Sequence, residues 1–220
     1  MSAELESLTR RWQAGWAMAM GLADAVESPG GLRVEIGTPE RHAEVIALRS
    51  DPPTLRRLAD EVVTARRISW LTVPTTRPAE ALAELRERGL DVLDRPEWLM
   101  TTDLHDQSTA VAAPEGYAVR TTRDGAVARA EVRYASGALA ARGTIAVRGT
   151  DAVAHGIATD AAHRRRGLGR VVMGALTREA TRRGASAGLL VSSADGRHLY
   201  RSLGWTERAS VVIGRTPARR

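Results

Sequence analysis

The residues with the strongest chemical signature are Arg164-Arg165-Arg166-Gly167-Leu168-Gly169-Arg170. They stand between a segment with strand character and one with helical spacing. A strand, a Gly-rich turn and a helix N-terminus together make an anion cradle. The glycines let backbone N–H groups approach a phosphate closely, and the helix dipole favours negative charge there. Flanking guanidinium groups add charge-assisted hydrogen bonds. Taken alone, the heptapeptide also suits a basic helix cap or a nucleic-acid patch.

It does not stand alone, because Leu199-Tyr200-Arg201-Ser202-Leu203-Gly204-Trp205 follows about thirty residues later. With that pair of motifs the chain resembles the GCN5-related N-acetyltransferases (GNAT), over roughly residues 117 to 216. The family's pyrophosphate motif is Arg or Gln, two residues, Gly, one residue, then Gly or Ala, matched here by Arg164, Gly167 and Gly169. Its second signature is Leu-Tyr, three residues, Gly, then an aromatic, matched by Leu199, Tyr200, Gly204 and Trp205.

The resemblance implies an acetyl-CoA-dependent enzyme with no metal, which transfers an acetyl group to an amine by direct attack on the thioester. It places Ile157, Ala158 and Thr159 along the pantetheine arm and thioester, with Arg164, Arg165, Arg166, Gly167, Leu168, Gly169 and Arg170 around the phosphates. Gly196 and Arg197 fall where the pantetheine passes, and Ser193 replaces an Asn that contacts it in many members. Tyr200 takes the place of the acid that protonates the departing CoA thiolate. The general base is open between His155, Glu131, Asp160 and a water relay. Strand alternation, which would put His155, Ile157 and Thr159 on one face, favours His155.

These residues must be held by surrounding elements, and the spacing supplies them. Leu5, Leu8, Trp12, Trp16 and Met20 recur three or four apart, giving a helix over residues 4 to 21. Strands at Leu32 to Ile36 and Ala43 to Leu48 read as a hairpin. A helix over 53 to 66, a strand at Ser69 to Val73, a helix from Pro78 to Arg88 and a strand from Trp98 to Leu104 complete a small α/β unit over residues 1–104. A polar connector spans 105–116. Strands at Tyr117 to Thr122, Ala126 to Tyr134, Leu139 to Val147 and Ala152 to Thr159 then form a meander. Helix 167 to 183, strand Leu189 to Val191, helix Gly196 to Leu203 and strand Ser210 to Ile213 finish the CoA-binding domain, residues 117–220. The fold class is α/β with a mixed, mostly antiparallel sheet flanked by helices.

The resemblance also exposes a gap. The family carries two helices between its first two strands, walling the acceptor site, whereas Thr122-Arg123-Asp124-Gly125-Ala126 leaves room only for a turn. The N-terminal unit is therefore expected to cover the acceptor side, with Trp12 and Trp16 either lining the site or buried between the halves. This unit reads as a degenerate half of the same fold.

Composition sets the outer limits. The 220 residues are 43% hydrophobic but only 4% aromatic, without Phe, so the core is aliphatic. All 32 basic residues are Arg, and the net charge of +6 permits an anionic partner. Zero Cys excludes disulfides, thiolate metal sites and cysteine nucleophiles. Thr9-Arg10-Arg11 and the apolar stretch after it loosely imitate an export signal. Glu4 and Glu6 precede the arginines, however, and two Trp and a Gln interrupt the stretch, so it reads as an amphipathic helix. The expected setting is cytoplasmic, as a monomer or homodimer, with a small-molecule or peptide amine as acceptor and neither nucleic acid nor membrane as partner. The competing reading is a regulatory module that binds CoA on this fold without catalysis.

Overall fold

The computed structural model describes residues 3–217. Helix α1 (Ala3–Met20) opens the chain, followed by β1 (Val26–Ser28), β2 (Gly31–Thr38), β3 (Arg41–Ala47), α2 (Pro52–Val63) and β4 (Ser69–Thr75). Next come α3 (Pro78–Glu87), β5 (Asp91–Val92) and β6 (Glu97–Asp103). After the connector lie β7 (Tyr117–Asp124), β8 (Val127–Tyr134), β9 (Leu139–Arg148), β10 (Asp151–Thr159) and α4 (Leu168–Thr181). The chain ends in β11 (Ala187–Ser193), α5 (Ala194–Ser202) and β12 (Thr206–Arg215). The expected α/β class and mixed sheet are both present. The very short β1 and β5 were not foreseen.

The strands form one sheet in the order β1-β2-β3-β4-β12-β6-β11-β10-β9-β8-β7, with β5 added on β12. Among the described residues only β3–β4 and β10–β11 pair in parallel, and each of these pairs is joined through a helix, α2 or α4, as parallel strands require. The last strand of each half crosses over. Strand β6 lies between β11 and β12, and β12 lies between β4 and β6. Elements from both sides of the connector therefore share a continuous sheet, and each half completes the other.

Alternation divides the side chains between two faces. On one face, α4 and α5 cover an aliphatic cluster that includes Met100, Ile145, Leu176 and Leu190, while α2 and α3 cover Val45, Leu58, Leu71 and Leu85. On the other, α1 covers residues of both halves: Leu32, Val34 and Ile46, together with Val153, Leu189, Val211 and Ile213. Trp12 and Trp16 stack at 5.8 Å in that cluster. Truncating a buried Trp costs about 3–5 kcal/mol, so α1 is a structural part of the interface.

Strands β7 and β8 meet in a tight turn, with Asp124 opposite Val127, so no helix intervenes. Helix α1 instead packs on β9 and β10. Arg11 donates through Nε to Asp151 Oδ2 at 2.9 Å, tying α1 to the start of β10. Near its C-terminal end, Ala19 meets Val127 and Ala146.

Candidate active site

The site begins where two strands part. Parallel pairing of β10 with β11 runs only through Asp151–Ala187, Ala152–Gly188 and Val153–Leu189. Beyond it, β10 follows β9 to Thr159 while β11 follows β6 to Ser193. Gly156 sits at φ 63° inside a register shift between His155 and Ala158. A bulge of this kind bends its strand and leaves backbone groups unpaired. A cleft of about 1160 Å³ opens in the gap and is lined from both faces of the sheet.

The bulge also corrects the strand reading. His155 faces α1, where its ring meets Trp16 edge-on at 6.5 Å. Ile157 packs into the opposite cluster, toward Val172 and Leu176 of α4. They would share a face in a regular strand, but the extra residue at the bulge rotates one relative to the other.

Past β10 the chain turns through a one-turn 3₁₀ segment, Ala161–His163, and enters α4 through the Arg-Gly loop. Tyr117 Oη lies 2.9 Å from His163 Nδ1 and pins this turn to β7. Arg165 holds a left-handed φ of 63°, rare outside Gly and frequent at ligand loops. Gly167, the N-cap of α4, sits at φ 75° and no side chain caps the helix. The first N–H groups of α4 thus lack the acceptor that a capping oxygen supplies elsewhere. Arg164, Arg165, Gly167, Leu168, Gly169 and Arg170 line the cleft, whereas Arg166 does not. These residues fit a pyrophosphate.

Helix α2 holds the matching place after β3, and its N-terminus is closed. Asp51 accepts from Thr54 N at 3.1 Å, and Pro52 and Pro53 carry no N–H. A carboxylate already occupies the point where an anion would bind.

Across the cleft, Ser193 caps α5 by accepting from Gly196 N at 3.3 Å, so its hydroxyl serves the helix. A Cβ on Gly196 would stand 3.0 Å from the Tyr200 ring, and Gly keeps that corner clear. Tyr200 is buried yet lines the cleft, and burial pushes its hydroxyl above the usual pKa, so it stays protonated. Arg197 is committed elsewhere. It donates to both carboxylate oxygens of Glu207 at 2.7 Å and lies 4.0 Å over Trp98, outside the cleft lining. Glu131 pairs with Arg133 and Asp160 caps the 3₁₀ turn, and neither lines the cleft.

The α1 side of the cleft holds Trp12 and Trp16, expected either there or between the halves, beside His155. With them stand residues that motif reasoning missed: Arg41, Glu44, Thr72, Arg95 and Glu97. Glu44 is 1% exposed, contacts Arg41 and accepts from Thr72 Oγ1 at 2.6 Å. Burial, with Arg95 nearby, pushes Arg41 down to about 10. Burial raises Glu97 despite Arg95 at 3.4 Å. His155 is lowered by burial and then by Arg41, which keeps its ring neutral near pH 7. One signal was present in the sequence: Glu44 interrupts an otherwise apolar run, Ala43 to Leu48.

The comparisons with known proteins follow this geometry. Residues 124–207 match the family model for the acetyltransferase (GNAT) domain. Over that stretch the chain has a GNAT acetyltransferase domain. Its fold is shared with a GCN5-related N-acetyltransferase from Kribbella flavida, at TM-score 0.70 and 16% identity over 96% of each chain. A GCN5-related N-acetyltransferase from Sphaerobacter thermophilus gives TM-score 0.60 at 14% identity, over 86% of this chain and 78% of that one. A tandem GNAT protein from the clavulanic acid biosynthesis pathway gives TM-score 0.59 at 16% identity, over 89% and 83%. No curated protein matches the sequence. Among the described residues, no helix is long and apolar enough to cross a membrane. No group of three or more His, Asp or Glu among them could hold a metal ion. The GNAT domain supplies the splayed strands, the uncapped α4 and Tyr200, while α1, β3, β4 and β6 supply the opposite wall.

Proposed function

We propose that the protein is an acetyl-CoA-dependent N-acetyltransferase in which the residues before the connector, a degenerate half of the same fold, wall the acceptor site. The observation that carries this is a cleft running between β10 and β11, with an open helix N-terminus on one face and titratable groups on the other. The thioester end of an extended cofactor anchored at α4 would then meet an amine approaching from the α1 side.

An alkyl ammonium, with pKa about 10.4, must lose a proton before it can attack. His155 is placed to accept it, since its neutral ring faces the α1 side of the cleft. Charge developing on the thioester oxygen is met by a backbone N–H of the splayed strand, at Ile157 or Thr159. Tyr200 donates to the departing sulfur. A thiol titrates near 8.5, below the buried Tyr200, so complete transfer from Tyr200 is uphill unless solvent resupplies the proton. Its contribution is hydrogen bonding as the C–S bond breaks. Ile157, Ala158 and Thr159 then line the acyl arm, and Arg164, Arg165 and Arg170 face the phosphates.

The test is calorimetry of acetyl-CoA against the wild type and Gly167→Glu, whose carboxylate would occupy the anion site. Micromolar binding that is lost in the variant supports the reading. No binding to the wild type rejects it. Binding without turnover of any amine would favour the regulatory module instead.

A further inference from the structure

The α1 wall of the cleft is unusual for a buried surface because it carries matched charges of both signs. Arg41 and Glu44 face the cleft from β3, Glu97 from the start of β6, and Arg95 from just before it. Arg41 and Arg95 both lie against Trp70, their guanidinium carbons 4.5 and 4.9 Å from its ring centre. Arg41 also sits 5.5 Å from the ring centre of Trp16. Its Nε is buried without a hydrogen-bond partner among the described residues, while the rest of the guanidinium group turns to Glu44 and lines the cleft. Among the described residues, Glu97 has only Arg95 within ion-pair distance, at 3.4 Å, longer than a good charge-assisted hydrogen bond.

Each acceptor class meets this wall differently. A polyamine would bring further positive charge beside two guanidinium groups. A neutral amine would bring no anion to the two guanidinium groups that line the cleft. A molecule with an ammonium and a carboxylate on neighbouring carbons satisfies both signs at once. Its carboxylate takes the guanidinium groups of Arg41 and Arg95 that line the cleft, and its ammonium takes Glu97. The stacked Trp12 and Trp16 flank the same space and suit an apolar side chain.

We infer that the acceptor is a zwitterionic amino acid, held by Arg41 and Arg95 through its carboxylate and by Glu97 through its ammonium group. The inference rests on the acetyltransferase reading. The bound ammonium gives one proton to His155, and its nitrogen forms the C–N bond as the thioester C–S bond breaks. The nitrogen then loses its second proton, and the leaving thiolate gains one, so the balance is an N-acetyl amino acid, CoA thiol and one proton released.

The experiment follows CoA release from acetyl-CoA with the twenty amino acids, their carboxamides and the amines lacking the carboxyl group. At least one amino acid should exceed its carboxamide by about 10²-fold in kcat/KM, the scale of losing charged hydrogen bonds in a closed site. Arg95→Ala, at a half-exposed side chain that should not unfold the protein, should reduce that ratio about tenfold while acetyl-CoA binds as before. Arg41→Ala should abolish the preference. If carboxamides or simple amines react as well as the acids, or react where no acid does, this inference falls and the acetyltransferase reading stands. If acetyl-CoA does not bind, both fall together.

Discussion

Gly15 of α1 rests directly on Val153 of β10: a Cβ at residue 15 would stand 2.2 Å from Val153 Cγ2 and 2.7 Å from its Cβ. The helix can lie this low on the strand only because that position has no side chain. The contact fixes the height of α1 over the point where β10 and β11 separate, and so places Trp12 and Trp16 in the cleft wall.

Gly15→Ala should therefore destabilise the protein. Helix propensity gains about 1 kcal/mol, but overpacking against a β-branched side chain costs about 1–3 kcal/mol, and a contact this short lies at the upper end. A net loss of about 1–2 kcal/mol lowers Tm by about 2–8 °C for a chain of this size. In a Val153→Ala background the same change should be neutral or stabilising. A thermal-denaturation double-mutant cycle reads the coupling, and simple additivity would show that α1 does not seat on Val153.

Tyr200→Phe tests the acid. It removes one oxygen from a buried ring packed beside Trp205 at 5.9 Å, so the fold should tolerate it. General acid assistance is worth about 10²–10⁴-fold, and kcat should fall by that factor with acetyl-CoA affinity unchanged. A wild-type kcat would leave Tyr200 a packing residue.

His155 makes a prediction with a definite sign. Burial and Arg41 hold its folded pKa below the ordinary 6.5, so the unfolded chain takes up a proton in a range where the folded one does not. Acidification through 6.5 therefore favours unfolding, and the destabilisation stops growing once pH falls below the folded value. His155→Ala should be less sensitive to acid over that window. If His155 is the base, kcat/KM has an acid limb below pH 6.5, which the variant removes together with most of the rate. An unchanged profile would remove His155 from the mechanism and turn attention to Glu97, whose pKa burial raises.

How much of this was legible follows from distance along the chain. The anion loop and the Tyr200 helix are each encoded within about seven residues, and hydrophobic period placed the longer strands and helices within a few residues. Strands β1 and β5, of three and two residues, are too short to show a period. The His155 bulge was hidden because Gly156 in an otherwise regular strand looks like a gap in alternation, although an interior Gly is itself a bulge signal. The exchange of β6 and β12 is a long-range pairing between strands about a hundred residues apart, and no local pattern reports it. For that reason the charged wall stayed out of view. Glu97 reaches the cleft only because β6 is inserted beside β11, opposite Ser193.

Arg197 and Arg164 separate motif proximity from function. Arg197 lies close in sequence to Gly196, but its fork is filled by Glu207 and its face by Trp98. Arg197→Ala should leave acetyl-CoA affinity within about twofold and lower Tm. Arg164 lines the cleft, and among the described residues only a 3.4 Å contact to the Thr159 carbonyl holds its side chain. Arg164→Ala should weaken acetyl-CoA binding by about tenfold or more, the scale of one charge-assisted hydrogen bond. Calorimetry on both variants decides, and a reversed order would return Arg197 to the cofactor site.

The two crossover helices finally predict a stoichiometry. Helices α2 and α4 occupy matching places after parallel strands, and either N-terminus is by position an anion site. At α4 the cap is Gly167 in the left-handed region, with no side chain over the N–H groups. At α2, Asp51 accepts from Thr54, while Pro52 and Pro53 remove two donors outright. A phosphate there would meet a carboxylate instead of a cradle. Calorimetry should accordingly give one acetyl-CoA per chain. Asp51→Ala should not create a second site, because the prolines still withhold their donors, and it should lower stability by about 1 kcal/mol through loss of the cap. Two equivalents bound by the wild type would show that the half before the connector retains a working site.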